Sequence, residues 1–217
     1  MESFIYIFIS AVLAYLIGSI PTAVWYGKAY YGLDVREHGS GNAGATNTFR
    51  VLGKKAGVIV MLVDVLKGWT ATQGASFLVY SKLIESEDLV IFKLIFGIAA
   101  VVGHIFPIYA NFKGGKGIAT LLGMVLSIHI QAALLCLIVF LIVLLLSKYV
   151  SLGSMIAALV FPLLLISPRF RPDEHGAVVI IFGFVIFFLV VITHQKNIVR
   201  LINGEESKAR LRIRRRN

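Results

Sequence analysis

The amino-acid sequence predicts an all-α, polytopic membrane protein with about seven transmembrane helices, its N-terminus outside and its C-terminus in the cytoplasm. Three observations carry that prediction. Of 217 residues, 58% are hydrophobic and only 15% are charged, too apolar for a water-soluble core of this size. The apolar residues are gathered into long runs, several near the roughly 20 residues that cross a bilayer as a helix. The basic residues cluster beside those runs and favour one side. The whole of 1–217 reads as one integral membrane domain with a basic tail, 195–217.

The first run, Phe4 to Trp25, is nearly uncharged and carries Gly18, Ser19 and Pro21 near its end. It lacks the basic flank of a signal peptide and is longer than the usual apolar region of one, so it reads as the first transmembrane helix. Six more are expected at roughly 56–80, 90–110, 117–129, 131–147, 153–168 and 176–194. The fourth and fifth are split because Gly117 to Ser147 is 31 residues, about 46 Å of helix at 1.5 Å per residue, too long for one ordinary crossing. Ser127, His129 and Gln131 mark the turn.

Lys and Arg in the connections test the count. Residues 25–55 hold five, 111–116 two, 148–152 one and the tail from Gln195 eight, sixteen on one side against three in 81–89, 128–131 and 169–175. Basic residues stay preferentially in the cytoplasm, which fits an odd number of crossings and a cytoplasmic tail. The net charge of +10 is thereby read as a determinant of topology and lipid contact rather than of nucleic-acid binding. The single cysteine, Cys136, allows no internal disulfide and no cysteine-based metal site.

With that topology every polar motif faces the cytoplasm. Phe112-Lys113-Gly114-Gly115-Lys116-Gly117 breaks two apolar runs and reads as a phosphate cradle, offering bare backbone N–H groups and two ammonium charges. Gly117 follows Lys116 where a nucleotide P-loop has Ser or Thr, so a small phosphorylated substrate is expected rather than ATP. The stretch His38 to Arg50, containing Ser40, Asn42 and Asn47, is rich in small residues and reads as a hydrogen-bonding loop. The stretch from His194 places Asn197 and Arg200 at three-residue spacing, on one face if helical. Asp64 and Lys67 lie three residues apart within an apolar span, where they must be paired, either to fix helix packing or to touch a ligand. Ser151 and Ser154 would cap a helix or join a phosphate site.

These motifs, in this order and spacing, resemble the bacterial acyl-phosphate:glycerol-3-phosphate acyltransferase family, the PlsY family. The match runs from Gly39-Ser40-Gly41-Asn42 through Ala45-Thr46-Asn47 and Arg50, Asp64 to Gly68, Gly103-His104 and the lysine-glycine hexamer, to His194 through Glu205. The resemblance implies transfer of a fatty acyl group from acyl phosphate to the 1-hydroxyl of glycerol 3-phosphate, giving lysophosphatidic acid and phosphate. It implies functional roles for Ser40, Arg50, Gly114, Gly115, Gly117, His194 and Asn197 and a structural role for Glu205. The site expected on this basis has Ser40, Arg50, His194 and Asn197 as catalytic residues. Asn42, Asn47, Lys67, Lys113, Gly114, Gly115, Lys116, Gly117, Ser151 and Ser154 would contact substrate, and Asp64 and Glu205 would be structural.

The expected partners are the two substrates and the bilayer of a bacterial cell membrane, with no metal, no cofactor and no obligate protein partner. An acyl phosphate is a mixed anhydride, already activated by its phosphate leaving group, so the protein must supply orientation and charge stabilisation. No histidine has Asp five positions later, which leaves His194 or a phosphate oxygen of the donor as proton acceptor. A covalent Ser40 acyl-enzyme has no base assignable beside it. A transporter of a phosphorylated metabolite would also use glycine-broken helices and an interior Asp/Lys pair, but no motif recurs in the other half of the chain.

Overall fold

The computed structural model describes residues 2–171 and 175–209. Among them the regular structure is helical: α1 (Glu2–Gly18), α2 (Thr22–Tyr31), α3 (Ala45–Val51), α4 (Lys54–Tyr80), α5 (Leu89–Ile105), α6 (Ile118–Ile128), α7 (Ile130–Ser147), α8 (Val150–Ile166), α9 (Gly176–Thr193) and α10 (Gln195–Ile202). Short 3-10 turns occupy Val35–Glu37 and Ile108–Ala110. Four stretches, Ser3–Tyr31, Leu89–Ala110, Ile130–Ser147 and Gly176–Thr193, are long and apolar enough to cross a membrane, while α6 and α8 are shorter apolar helices.

A helix stands at each of the seven expected positions, with differences that proline and glycine explain. The first run breaks between Gly18 and Thr22 because Pro21 has no N–H to continue the ladder. The third stops at Ile105 because Pro107 pushes Phe106 out of the helical region, to φ −121° and ψ 66°. His129 separates α6 from α7, as the 31-residue run demands, but the eleven residues of α6 rise only about 16 Å, half a hydrocarbon core. The His38 to Arg50 motif is a loop only in its first half. From Ala45 it is α3, entered through an extended Gly44 whose carbonyl accepts both Thr48 N–H and Thr48 Oγ1, each at 3.1 Å.

The chain forms two compact units, one from the described residues up to Ile130 with His175, the other from Gln131 to Arg171 and from Gly176 onward. In the first, α4 packs on α5 and α6, and α1 on α5. A Cβ on Gly18 would overlap the Ala100 carbonyl, and one on Gly103 the Tyr15 carbonyl; Gly68 and Gly123 stand likewise against Thr120 and Val65. Such small residues let helix backbones meet where lipid offers no hydrophobic drive to association. Phe96, Ala71, Ala75, Ala100 and Ala14 fill the space between.

In the second unit α8 packs on α9. Val179, Gly183, Ile186 and Val190 of α9 are buried, with Gly183 against Pro162, while Val178, Ile181, Val185, Phe188 and Ile192 are exposed. A helix apolar on its inner and outer faces alike has lipid, not water, outside it.

Candidate functional site

The loop before α3 is folded around one side chain. Asn47, 1% exposed, accepts the Ser40 N–H at Oδ1 (2.8 Å) and donates Nδ2 to the carbonyls of Val35 (2.7 Å) and His38 (3.0 Å). Its amide is therefore committed to shaping the loop. Gly39, at φ +62°, lies where a Cβ would strike Asn47 Oδ1 and stand 3.4 Å from Arg50 Cδ. Arg50 thus lies beside the Ser40 loop; Ser40 and Arg50 are both exposed, and Asn42 is half-buried beside Gly44.

The lysine-glycine loop differs from the expected cradle. Gly114 N–H donates to the Ile105 carbonyl at 3.2 Å and Gly115 N–H to the His104 carbonyl at 3.1 Å, while Phe112 and Lys113 N–H donate to Pro107 and Ala110. The amides expected to face a phosphate instead satisfy the open carbonyl end of α5. The glycines are needed for close packing: a Cβ on Gly114 would overlap the His104 carbonyl oxygen, and one on Gly115 the His104 imidazole. Gly117, at φ +79°, turns the chain into α6. Lys113 is exposed and Lys116 half-buried.

Asp64 and Lys67 form a buried ion pair at 2.9 Å. Lys67 Nζ also donates to the Ile20 carbonyl at 2.9 Å, and Thr22 Oγ1 donates to Asp64 Oδ1 at 3.0 Å. The pair closes the break between α1 and α2, where a freed carbonyl would otherwise face hydrocarbon. His104 Nδ1 lies 3.7 Å from the same Asp64 oxygen.

Between the two loops of this unit is an open polar cleft of about 470 Å3, lined by Asp34, Arg36, Glu37, Gly41, Asn111, Lys113 and Gly114. Asp34 is paired with Arg36 at 2.7 Å and Lys28 at 3.4 Å. The Arg36 hydrogen bond, with the Arg36 backbone N–H and both cations, outweighs burial and holds the Asp34 carboxyl well below the usual carboxylate range, and Arg36 is raised in turn. The sequence reading passed over both residues. The signal was present as an i, i+2 acid–base pair just before the small-residue loop.

In the second unit, His194 ends α9 and starts α10. Its Nδ1 lies 2.8 Å from the Val190 carbonyl oxygen, and because that oxygen only accepts, Nδ1 carries the proton and Nε2 is the basic nitrogen of the neutral ring. Asn197 Nδ2 donates to Glu206 Oε1 at 2.6 Å, Ser151 Oγ to the same oxygen at 2.8 Å, and Arg200 Nε to Oε2 at 2.8 Å. The structural role expected of Glu205 thus falls one residue later: Glu205 is exposed, whereas Glu206 fastens α10 to the start of α8. Burial raises the Glu206 carboxyl, but the bonds from Arg200, Asn197 and Ser151 outweigh it and hold the group below its ordinary value. Ser154 donates to the Val150 carbonyl at 2.9 Å, and neither serine caps α8, whose N-cap is Tyr149.

Comparison with known proteins places this architecture. The family model described as "Glycerol-3-phosphate acyltransferase" matches residues 8–204. Glycerol-3-phosphate acyltransferases of Chlorobaculum tepidum and Listeria welshimeri are 41% and 48% identical to the chain, each over 91% of it and 94% of the relative. The crystal structure of PlsY, an integral membrane glycerol 3-phosphate acyltransferase, in its glycerol 3-phosphate form superposes with a TM-score of 0.79 at 36% identity, covering 94% of this chain and 96% of that one. Its lysophosphatidic acid form gives 0.75 at 36% identity, covering 93% and 94%. The chain is a membrane protein and belongs to the glycerol-3-phosphate acyltransferase family.

Proposed function

We propose that this acyltransferase moves a fatty acyl group from acyl phosphate to the 1-hydroxyl of glycerol 3-phosphate, releasing lysophosphatidic acid and phosphate. The observation that carries the reading is the polar cleft of about 470 Å3 between the Ser40 loop and the lysine-glycine loop. The exposed Lys113 on its wall suits a small phosphate monoester, and of the two carboxylates there, Asp34 and Glu37, Asp34 is neutralised by Arg36 and Lys28. The structural relatives' glycerol 3-phosphate and lysophosphatidic acid forms match the acceptor and product of this reaction. Seven crossings, N-terminus outside, would place the cleft on the cytoplasmic face of the cell membrane, by the positive-inside tendency.

In the proposed step the acceptor hydroxyl oxygen attacks the acyl carbonyl carbon, the bond from that carbon to the phosphate oxygen breaks, and phosphate departs. The departing phosphate takes the hydroxyl proton, so atoms and charge balance without cofactor or ATP. Arg50, Lys113 and Lys116 offset the anionic charge of the two phosphates. Ser40 and Asn42 orient polar groups of substrate, and His194 and Asn197 keep the functional roles that the family resemblance implies for them.

Purified protein given acyl phosphate should release inorganic phosphate only when glycerol 3-phosphate is present, with lysophosphatidic acid formed in equal amount. Acyl-CoA and acyl carrier protein should fail as direct donors. Robust transfer from acyl-CoA without acyl phosphate would overturn the donor assignment.

A further inference from the structure

Arg36 belongs to none of the three motifs that the sequence singled out, yet it is the side chain that joins the two loops of the cleft. Nε and Nη2 donate to the two Asp34 carboxylate oxygens at 3.0 and 2.7 Å, fixing the guanidinium on a residue only 8% exposed. Nη1 reaches across 74 residues of sequence to the Ala110 carbonyl at 3.0 Å, and to the Lys113 carbonyl at 3.4 Å.

Those two carbonyls bracket an unusual pair. Asn111 and Phe112 are consecutive non-glycine residues at φ +55° and +57°. A left-handed conformation is tolerable for Asn but costly for Phe, and such strain persists only where the surroundings enforce it. Arg36 holds the carbonyl just before the pair and, one residue beyond it, the carbonyl of Lys113 itself. Relaxation of either residue would swing Lys113, the exposed cation that follows and that lines the cleft with Arg36.

We propose that Arg36 is a positioning residue which, anchored on Asp34, clamps the strained Asn111-Phe112 turn and thereby sets where Lys113 meets the phosphate of the acceptor. This rests on the acyltransferase reading given above. The planar fork is essential to it. A guanidinium bonds the carboxylate through two nitrogens and the loop through a third, whereas an ammonium on a flexible stem cannot span both ends in fixed geometry. Arg36 acts through Lys113 and touches no reacting atom in this account, so its loss should weaken capture of one substrate rather than slow the chemistry.

The test is the kinetics of Arg36→Lys and Asp34→Asn, with KM measured separately for glycerol 3-phosphate and acyl phosphate. Arg36→Lys should raise KM for glycerol 3-phosphate at least about tenfold, with kcat and KM for acyl phosphate within about twofold of wild type. Asp34→Asn, which keeps the guanidinium but loosens its anchor, should show the same selectivity with a smaller rise, and it decides the matter if Arg36→Lys does not fold. An unchanged KM for glycerol 3-phosphate, an equal rise for both substrates, or a fall in kcat alone would overturn the proposal. Wild-type turnover in the same series tests the reaction itself. Were it absent, calorimetric binding of glycerol 3-phosphate alone to the wild type and the two variants would still show whether Arg36 governs that ligand.

Discussion

The imidazole of His104 occupies the space into which a side chain at Gly115 would project, and the His104 carbonyl oxygen accepts the Gly115 N–H at 3.1 Å. Gly115→Ala should therefore damage the enzyme by lifting the lysine-glycine loop from α5, rather than by obstructing a phosphate. We expect a loss of roughly tenfold or more in kcat/KM, about 1.4 kcal/mol, partly recovered in Gly115→Ala/His104→Ala, where the imidazole is gone. A double variant as impaired as the sum of the two singles would restore the cradle explanation.

Removing one member of the Asp64–Lys67 pair leaves its partner charged and without a counter-ion within the helices. Lys67→Met or Asp64→Asn should each lower stability by about 3–5 kcal/mol, and Asp64→Asn/Lys67→Met should be less damaging than either alone. Thermal unfolding in detergent provides the check. If the single variants melt with the wild type while turnover is lost, the pair serves the substrate instead.

Glu206 provides a test that depends on pH. Its carboxyl is held below an ordinary value near 4.5, so the folded state binds its proton less readily than the unfolded chain. The stabilisation is complete above that ordinary value and is lost as pH falls through the lower, folded one. Wild-type melting temperature should fall over that acid range, whereas Glu206→Gln should start lower and change less. Glu205→Gln should behave as wild type; a large effect there would return the structural role to Glu205.

His194 separates the two routes for the proton. With Nδ1 donating to Val190, Nε2 accepts, and Gln can replace an acceptor but cannot take a proton at working pH. Partial activity should remain in His194→Gln, while Arg50→Ala should lose roughly 10²–10³-fold, since no substrate oxygen can replace a cation. If His194→Gln is as inactive as His194→Ala, and the acid limb of the wild-type pH profile disappears with it, the imidazole is the general base.

The helices were legible because apolar run length and proline are local properties, as at Pro21 and Pro107. What escaped the sequence were pairings set by the fold. Glycine amides at 114 and 115 look free in a string of letters, and only the open end of α5, brought close by the turn at Pro107, shows where their hydrogens go. Glu205 and Glu206 are adjacent acids whose roles depend on which one the chain turns toward Asn197 and Ser151. Arg36 was passed over because its partners at Ala110 and Lys113 are carbonyls, which every residue possesses and no motif records.

The clasp at the α1–α2 break also bears on how the chain is built. α4 is not among the four stretches apolar enough to qualify as spans, and Asp64 and Lys67 make its entry into lipid costly. The groups that answer those charges, the Thr22 hydroxyl and the Ile20 carbonyl, lie 42 and 47 residues earlier in the sequence and so emerge first from the ribosome. Synthesis from N- to C-terminus therefore makes the receiving end of the clasp before the charges that it answers. A permuted gene that placed α4 ahead of α1 would ask the insertion machinery to hold those charges in hydrocarbon without their polar partners.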